Sequence, residues 1–190
     1  MKNTLIAFSI ISLFLASCSK EKDPFLITTD AIGHLTKEMK VKQLDSIFAQ
    51  DSIVKLEADS NLFSKSEQIE VYEKGGKKLL LLTPKSGQDP ESKIAHIQLF
   101  DERYKTEKGI HLNSTFKDLK DNYTITSISS TMNSVVISIA ETELYVTIDK
   151  EKLPEEIRNQ FGAKVESKDI PDDATFKFLM VGWEKDNEGN

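Results

Sequence analysis

Apolar and polar residues in the first part of the folded chain follow a period typical of a helix. Over residues 37–49 the apolar positions Val41, Leu44 and Phe48 recur at helical spacing, with polar residues at most positions between them. Thr36 precedes this stretch and is a candidate N-cap. The pattern predicts an amphipathic helix of about three turns.

The period then changes to two, which is typical of strands. Gly75-Gly76 separates two of the alternating segments and predicts a two-residue hairpin turn, because such turns need positive φ angles. Residues 79–82 are apolar at every position, which indicates a central strand covered on both faces. In this half of the chain the pattern predicts strands over residues 53–58, 68–73, 77–83 and 94–100.

A second helix followed by strands begins after residue 109. Asn113 or Ser114 can cap a helix over residues 114–122. Pro154 at a first turn, with Gly162 as C-cap, predicts a third helix over residues 154–161. The remaining pattern predicts strands over residues 123–130, 134–140, 143–148 and 175–183, and a frayed tail over residues 184–190.

A helix followed by strands therefore occurs twice within a folded region expected over residues 26–183. Gly33-His34-Leu35 before the first helix is matched by Gly109-Ile110-His111-Leu112 before the second. Two interpretations stay open: a tandem repeat of residues 26–103 and 104–183, or a coincidental similarity of two helix starts. In either case the predicted fold class is α+β, an antiparallel sheet with helices on one face.

The first 17 residues predict a signal peptide. A basic start at Lys2 precedes an apolar run over residues 5–15, which is about half as long as a membrane-spanning helix needs to be. The run ends in Leu15-Ala16-Ser17-Cys18, which resembles the lipobox of bacterial lipoproteins. The resemblance implies that Cys18 becomes the first residue and carries the lipid, with palmitate among the expected acyl groups.

A lipid on Cys18 implies a place in the cell envelope. Two or three acyl chains hold a protein on a membrane stably, and residues 18–25 then form a short charged tether. The serine at the position after the cysteine, Ser19, resembles the residue found there in lipoproteins sorted to the outer membrane. We therefore expect a protein anchored to the outer membrane, facing either the periplasm or the cell surface.

The folded part also resembles known envelope proteins. Residues 106–115 are similar to a T-x-x-G-I-x-x-x-S-T stretch of uncharacterised bacterial envelope proteins. A glycine and leucine near each helix start, the lipid anchor and the repeated helix-and-sheet pattern resemble lipoproteins of the SmpA/OmlA type and secreted proteins of the beta-lactamase-inhibitor type. The resemblance implies their architecture and a non-catalytic role, but it assigns no binding residue.

Composition and charge exclude several classes of function. The 190 residues carry 25 Lys and Arg against 31 Asp and Glu, a net charge of −6, and Arg103 and Arg158 are the two arginines. A surface that grips phosphates is not expected from this balance, so nucleic acid is a poor candidate partner. Because Cys18 is the one cysteine, disulfides, thiolate zinc sites and thiol nucleophiles are excluded from the folded part.

Standard catalytic, nucleotide-binding and metal-binding motifs are missing from the sequence, so we expect no catalytic residue, no cofactor and no metal. His34 and His111 are interpreted as half-buried residues at corners before the helices, although they could also mark equivalent ligand positions. His96 is interpreted as a surface or edge residue. The carboxylate pairs Glu155-Glu156 and Asp172-Asp173 are interpreted as solvated surface.

Two functional hypotheses follow, with small-ligand binding between the two halves as a weaker third. The first is a lipid-anchored envelope protein with a non-catalytic role in binding a protein partner or in scaffolding. On the closing strand Phe176 and Phe178 are expected in the core, and Trp183 on the opposite face is a candidate partner anchor. The alternative is an envelope hydrolase or carbohydrate-binding lipoprotein that combines dispersed carboxylates with an aromatic platform: Glu141, Glu143, Tyr123, Tyr145 and Trp183.

Overall fold

The computed structural model describes residues 22–57, 67–158 and 164–183. Three predictions lie outside these residues: the signal peptide, the lipidated Cys18 and the tail over residues 184–190. Of the predicted tether, residues 22–25 are described. Within the described ranges no helix has the length and apolar character needed to span a membrane.

The described residues of the first half of the chain form seven strands, one 3-10 turn and one short α-helix. Three strands of two residues come first, and four longer strands follow after a 3-10 turn at Val41–Gln43 and helix α1 (Leu44–Ile47). The strands are β1 (Leu26–Ile27), β2 (Ala31–Ile32), β3 (Leu35–Thr36), β4 (Ser52–Leu56), β5 (Gln68–Tyr72), β6 (Lys78–Pro84) and β7 (Ile94–Leu99).

The described residues of the second half of the chain add five strands, two α-helices and two 3-10 turns, at Lys150–Lys152 and Ser167–Asp169. In chain order the strands and α-helices are β8 (Lys105–Thr106), α2 (Phe116–Asn122), β9 (Ile125–Ser130), β10 (Ser134–Ile139), β11 (Leu144–Asp149), α3 (Glu155–Arg158) and β12 (Phe178–Gly182). The eight longer strands lie where the period-two pattern predicts them. The four strands of two residues were not predicted, because two residues are too few to show a period.

The fold is mostly β, so the predicted α+β class with helices on one face of the sheet is wrong. The twelve strands form a four-stranded sheet in the order β3-β2-β1-β8 and an eight-stranded sheet in the order β4-β5-β6-β7-β12-β11-β10-β9. The described helices are short, seven residues at most. Strands therefore define the architecture of the described residues, and the helix-plus-sheet architecture that the resemblance to the beta-lactamase-inhibitor type implied is not found.

The predicted helix over residues 37–49 is largely absent for a tertiary reason. Thr36 is not an N-cap, because it lies in β3 and pairs with Ala31. The backbone of Val41 then donates to the carbonyl of Ser92, 2.9 Å away. These backbone bonds to other segments hold residues 36–41 outside a helix, and only α1 and the preceding 3-10 turn remain.

The second predicted helix is confirmed as α2, with a different cap. The hydroxyl of Thr115 accepts a hydrogen bond from the backbone of Asp118, and the Asp118 carboxylate accepts one from the backbone of Thr115. This reciprocal pair satisfies two backbone donors at the helix start. Ser114 instead accepts a bond from the backbone of His111. The third helix is present as α3, and residues 159–161 of the prediction lie outside the described part.

Two four-stranded meanders form the large sheet. β4 to β7 are neighbours in chain order, β9 to β12 are likewise, and the last strands of the two sets, β7 and β12, pair antiparallel at the centre. Each half of the chain thus supplies one meander. This topology does not measure the similarity of the two sequence halves, so the tandem repeat stays a prediction.

One face of this sheet carries the hydrophobic core. Across the centre Ile97 lies opposite Leu82 and Val181, and all three are buried. The same cluster of buried residues includes Leu35 from the small sheet and Phe116 from α2. The small sheet and α2 therefore pack on this face, and the opposite face of the large sheet, called here the outer face, points away from the core.

Candidate functional site: the outer face of the sheet

The outer face presents a row of residues that crosses seven strands. Cross-strand pairing places these residues side by side, from β5 to β9. Six strand spacings make the row about 29 Å long. All but the last are half-buried. We call this set the central row: Glu70, Leu81, Gln98, Met180, Tyr145, Ser138 and Ser127.

Hydrogen bonds hold the charged end of the central row in place. The Lys78 ammonium lies 2.5 Å from one oxygen of Glu70, and the Tyr72 hydroxyl donates to the other oxygen at 2.7 Å. The bond from Lys78 is the main reason that the pKa of Glu70 lies below its ordinary value, although burial opposes it. Lys78 also lies 4.3 Å from the centre of the Phe100 ring. This part of the face is therefore ordered before any partner binds.

The middle of the face is apolar and aromatic with polar atoms interspersed. Phe178, 36% exposed, lies opposite Thr147, which in turn lies opposite Val136. The buried Oγ1 of Thr147 and the buried Nδ1 of His96 have no hydrogen-bond partner among the described residues. A buried polar atom without a partner costs free energy that a hydrogen bond would recover. Both side chains lie on the outer face.

Phe176 is in the core as predicted, whereas the predicted roles of Phe178 and Trp183 are exchanged in the structure. Phe178 is the exposed one, whereas Phe176 is buried and lies before β12 begins, so the two do not share a face. Trp183 is 6% exposed and continues the buried series of Leu179 and Val181. The prediction of Trp183 as a partner anchor is therefore wrong, since its ring belongs to the core.

The residues of the alternative hypothesis occupy different places. Glu141 and Tyr123 line a small cavity of about 110 Å³ together with Glu107 and Lys108. Glu141 has a φ of 66°, a left-handed backbone that costs a non-glycine residue energy.

The other residues of that hypothesis are not part of this cavity. Glu143 pairs with Lys37 at 2.5 Å, Tyr145 lies on the outer face and Trp183 is in the core. The two carboxylates and three aromatic residues of that hypothesis therefore do not all meet in one site, although Glu141 and Tyr123 share this cavity.

The histidines and the carboxylate pairs carry no sign of a metal site. His34 is exposed, not half-buried as predicted, and the ring of the half-buried His111 accepts a bond from the backbone of Asn113 at 3.3 Å. His96 lies on β7, a central strand and not an edge strand. Both carboxylate pairs are exposed as predicted. Within the described ranges no three of His, Cys, Asp and Glu are grouped as metal ligands.

An ion-pair cluster around the buried carboxylate of Asp101 connects the end of β7 to neighbouring segments. The Asp101 side chain, 0% exposed, accepts from Nη2 of Arg103 at 2.7 Å and pairs with Lys77 at 3.0 Å. Nη1 of Arg103 pairs with Glu73 at 2.8 Å, and its guanidinium lies 4.2 Å from the centre of the Phe25 ring. Arg103 thus ties the β5–β6 hairpin and the N-terminal segment to the end of β7.

The cluster controls the charge of Asp101. Burial alone would raise the pKa of Asp101, but the hydrogen bonds from Arg103 and Lys77 outweigh it and hold the pKa well below the ordinary 3.8. The stability that comes from this lowered pKa is present above that ordinary value and is lost as the pH falls through the folded-state value. The pairing therefore favours the fold at neutral pH.

Comparison with known proteins identifies the fold and no family. No protein-family model and no curated protein match the chain. The crystal structure of the uncharacterized protein YfeY from Escherichia coli is similar, with a TM-score of 0.52 and 11% sequence identity, over 82% of this chain and 98% of that one. At this identity the similarity shows a shared fold alone. The resemblances to bacterial lipoproteins and to the two envelope families stay predictions.

We expect Arg103→Ala to lower the free energy of unfolding by about 3 kcal/mol, because it leaves the buried Asp101 carboxylate with less compensation. Lys117→Ala is the matched control, since Lys117 pairs with Asp121 at 2.5 Å on the exposed side of α2. The control should change the free energy by less than about 1 kcal/mol. Urea denaturation measures the free energy of unfolding of both variants. If both lose the same small amount, the cluster does not stabilise the fold.

Proposed function

We propose that this chain is a lipid-anchored protein of the cell envelope, held in the outer membrane through Cys18, with a non-catalytic role in binding a protein partner or in scaffolding. The observation that carries the binding role is the outer face, a half-buried surface about 29 Å across. The anchor rests on the Leu15-Ala16-Ser17-Cys18 motif after an apolar run. The outer face and the lipid-anchor motif together favour a protein that binds a partner near a membrane.

The composition of the outer face favours a protein as the partner. Its centre combines Met180, Tyr145 and Leu81 with neutral polar residues, whereas the charge of Glu70 is already neutralised by Lys78. Interface cores in proteins are enriched in aromatic residues and methionine and depleted in unpaired charge.

The proposed lipid anchor predicts the cell fraction in which a variant without Cys18 is recovered. Cys18→Ala removes the acylated atom, so we expect the protein to leave the membrane pellet of fractionated cells and appear in the soluble fraction. Ser19→Ala is the matched control and should stay in the pellet, because the cysteine is intact. Recovery of Cys18→Ala in the pellet at the level of the unchanged protein would contradict lipid anchoring.

The binding role predicts contacts of the outer face in the cell. A photo-reactive amino acid at Met180, in the central row, should give a cross-linked adduct of one defined size in intact cells. The same amino acid at Asp121, exposed on α2, is the control and should not give that adduct. No adduct from Met180, or the same adduct from both positions, would contradict binding through the outer face.

A further inference from the structure

The edge strand β9 lies in a part of the chain that has no charge. Residues 123–140 contain no Asp, Glu, Lys, Arg or His, although 29% of the whole chain is Asp, Glu, Lys or Arg. This segment includes β9, the turn after it and β10. Of these strands β9 is the last in the large sheet, with β10 on one side. An uncharged segment therefore forms one border of the sheet.

Backbone groups of β9 point away from the sheet along this border. The backbone of Thr131 donates to the carbonyl of Ser134 at 2.8 Å, which makes these two a hydrogen-bonded pair. Because bonded and non-bonded pairs alternate in an antiparallel ladder, Ser130 and Ile128 direct their N–H and C=O groups outward. No described strand lies on that side of β9. The border thus offers donors and acceptors at alternate residues.

The opposite border of the sheet differs in charge. There β4 carries Lys55, and Asp51 and Glu57 flank it. Charged residues on edge strands prevent pairing with a strand of another molecule, so β4 has the protection that natural sheets use. β9 has serine and threonine at its exposed positions. A cavity of about 240 Å³ beside residues 125–128 is also lined by residues 164–166, in which Lys164 and Glu166 carry opposite charges.

We propose that β9 pairs antiparallel with β9 of a second copy of this chain, so that two eight-stranded sheets become one. The two-fold axis passes beside Ile128, which lies opposite its own counterpart, and Ser127 then lies opposite Ser129 of the second copy. A two-fold axis makes an edge strand complementary to itself. This interaction goes beyond the proposed function and does not depend on the lipid or on a partner bound to the outer face.

A second copy fits this border better than a charged partner. The chain has a net charge of −6, but β9 itself has no charged residue, so pairing of β9 with β9 brings no like charges of these two strands into contact. Ser127 and Ser129 are small and exposed, so their pairing across the axis brings no steric conflict. The pairing supplies main-chain hydrogen bonds to the outward groups of Ile128 and Ser130.

Charge substitutions at two positions test the pairing and its register. In Ser127→Lys with Ser129→Lys, like charges face each other twice across the axis, and the same holds for Ser127→Glu with Ser129→Glu. The full chain, purified from producing cells in mild detergent, is measured by analytical ultracentrifugation over increasing concentration. We expect the unchanged protein to form dimers and each double variant to associate about tenfold more weakly.

Mixing the two double variants in equal amounts should restore dimers that contain one copy of each, because opposite charges then face each other. Restoration also shows that both variants are folded. Ser52→Lys with Val54→Lys on β4 is the matched control and should dimerise like the unchanged protein. An unchanged protein that is monomeric at every concentration, double variants that still dimerise, or a mixture without dimers would each overturn the proposal.

Discussion

The antiparallel pairing of β7 with β12 is the interaction on which the rest of the structure depends. Leu179 lies opposite Leu99 and Val181 opposite Ile97, all four of them buried, in strands separated by about eighty residues of chain. Without this pairing each meander would have an uncovered inner edge. The core cluster would also divide, because it extends across both meanders.

The same pairing creates the candidate site. The central row is continuous because Gln98 on β7 lies beside Met180 on β12, so the two halves of the chain contribute to one outer face. The Asp101 and Arg103 cluster follows directly after β7 and holds the N-terminal segment through Phe25. Phe25, the last residue of the proposed tether, is thus held close to the centre of the sheet.

Local pattern predicted the longer strands, because most of them have enough alternating positions to show a period and β6 contains a continuous apolar run. It could not predict that Thr36 pairs with Ala31 or that Val41 bonds to Ser92, so the first helix was wrong and with it the fold class. The pairing of β7 with β12 has no local signal at all. Of the candidate site, Tyr145 was singled out from sequence, whereas Met180 and Gln98 carry no signal before the register is known. Trp183 was misjudged, because its place in the core depends on where β12 begins.

Amide hydrogen exchange tests most directly whether the two meanders form one sheet. Amides that bond between β7 and β12, among them those of Ile97, Leu99, Leu179 and Val181, should exchange slowest and at similar rates. Amides of the edge strands β4 and β9 should exchange faster under the same conditions. Exchange in β7 or β12 as fast as in the edge strands would contradict the account, because it would show that the meanders open independently.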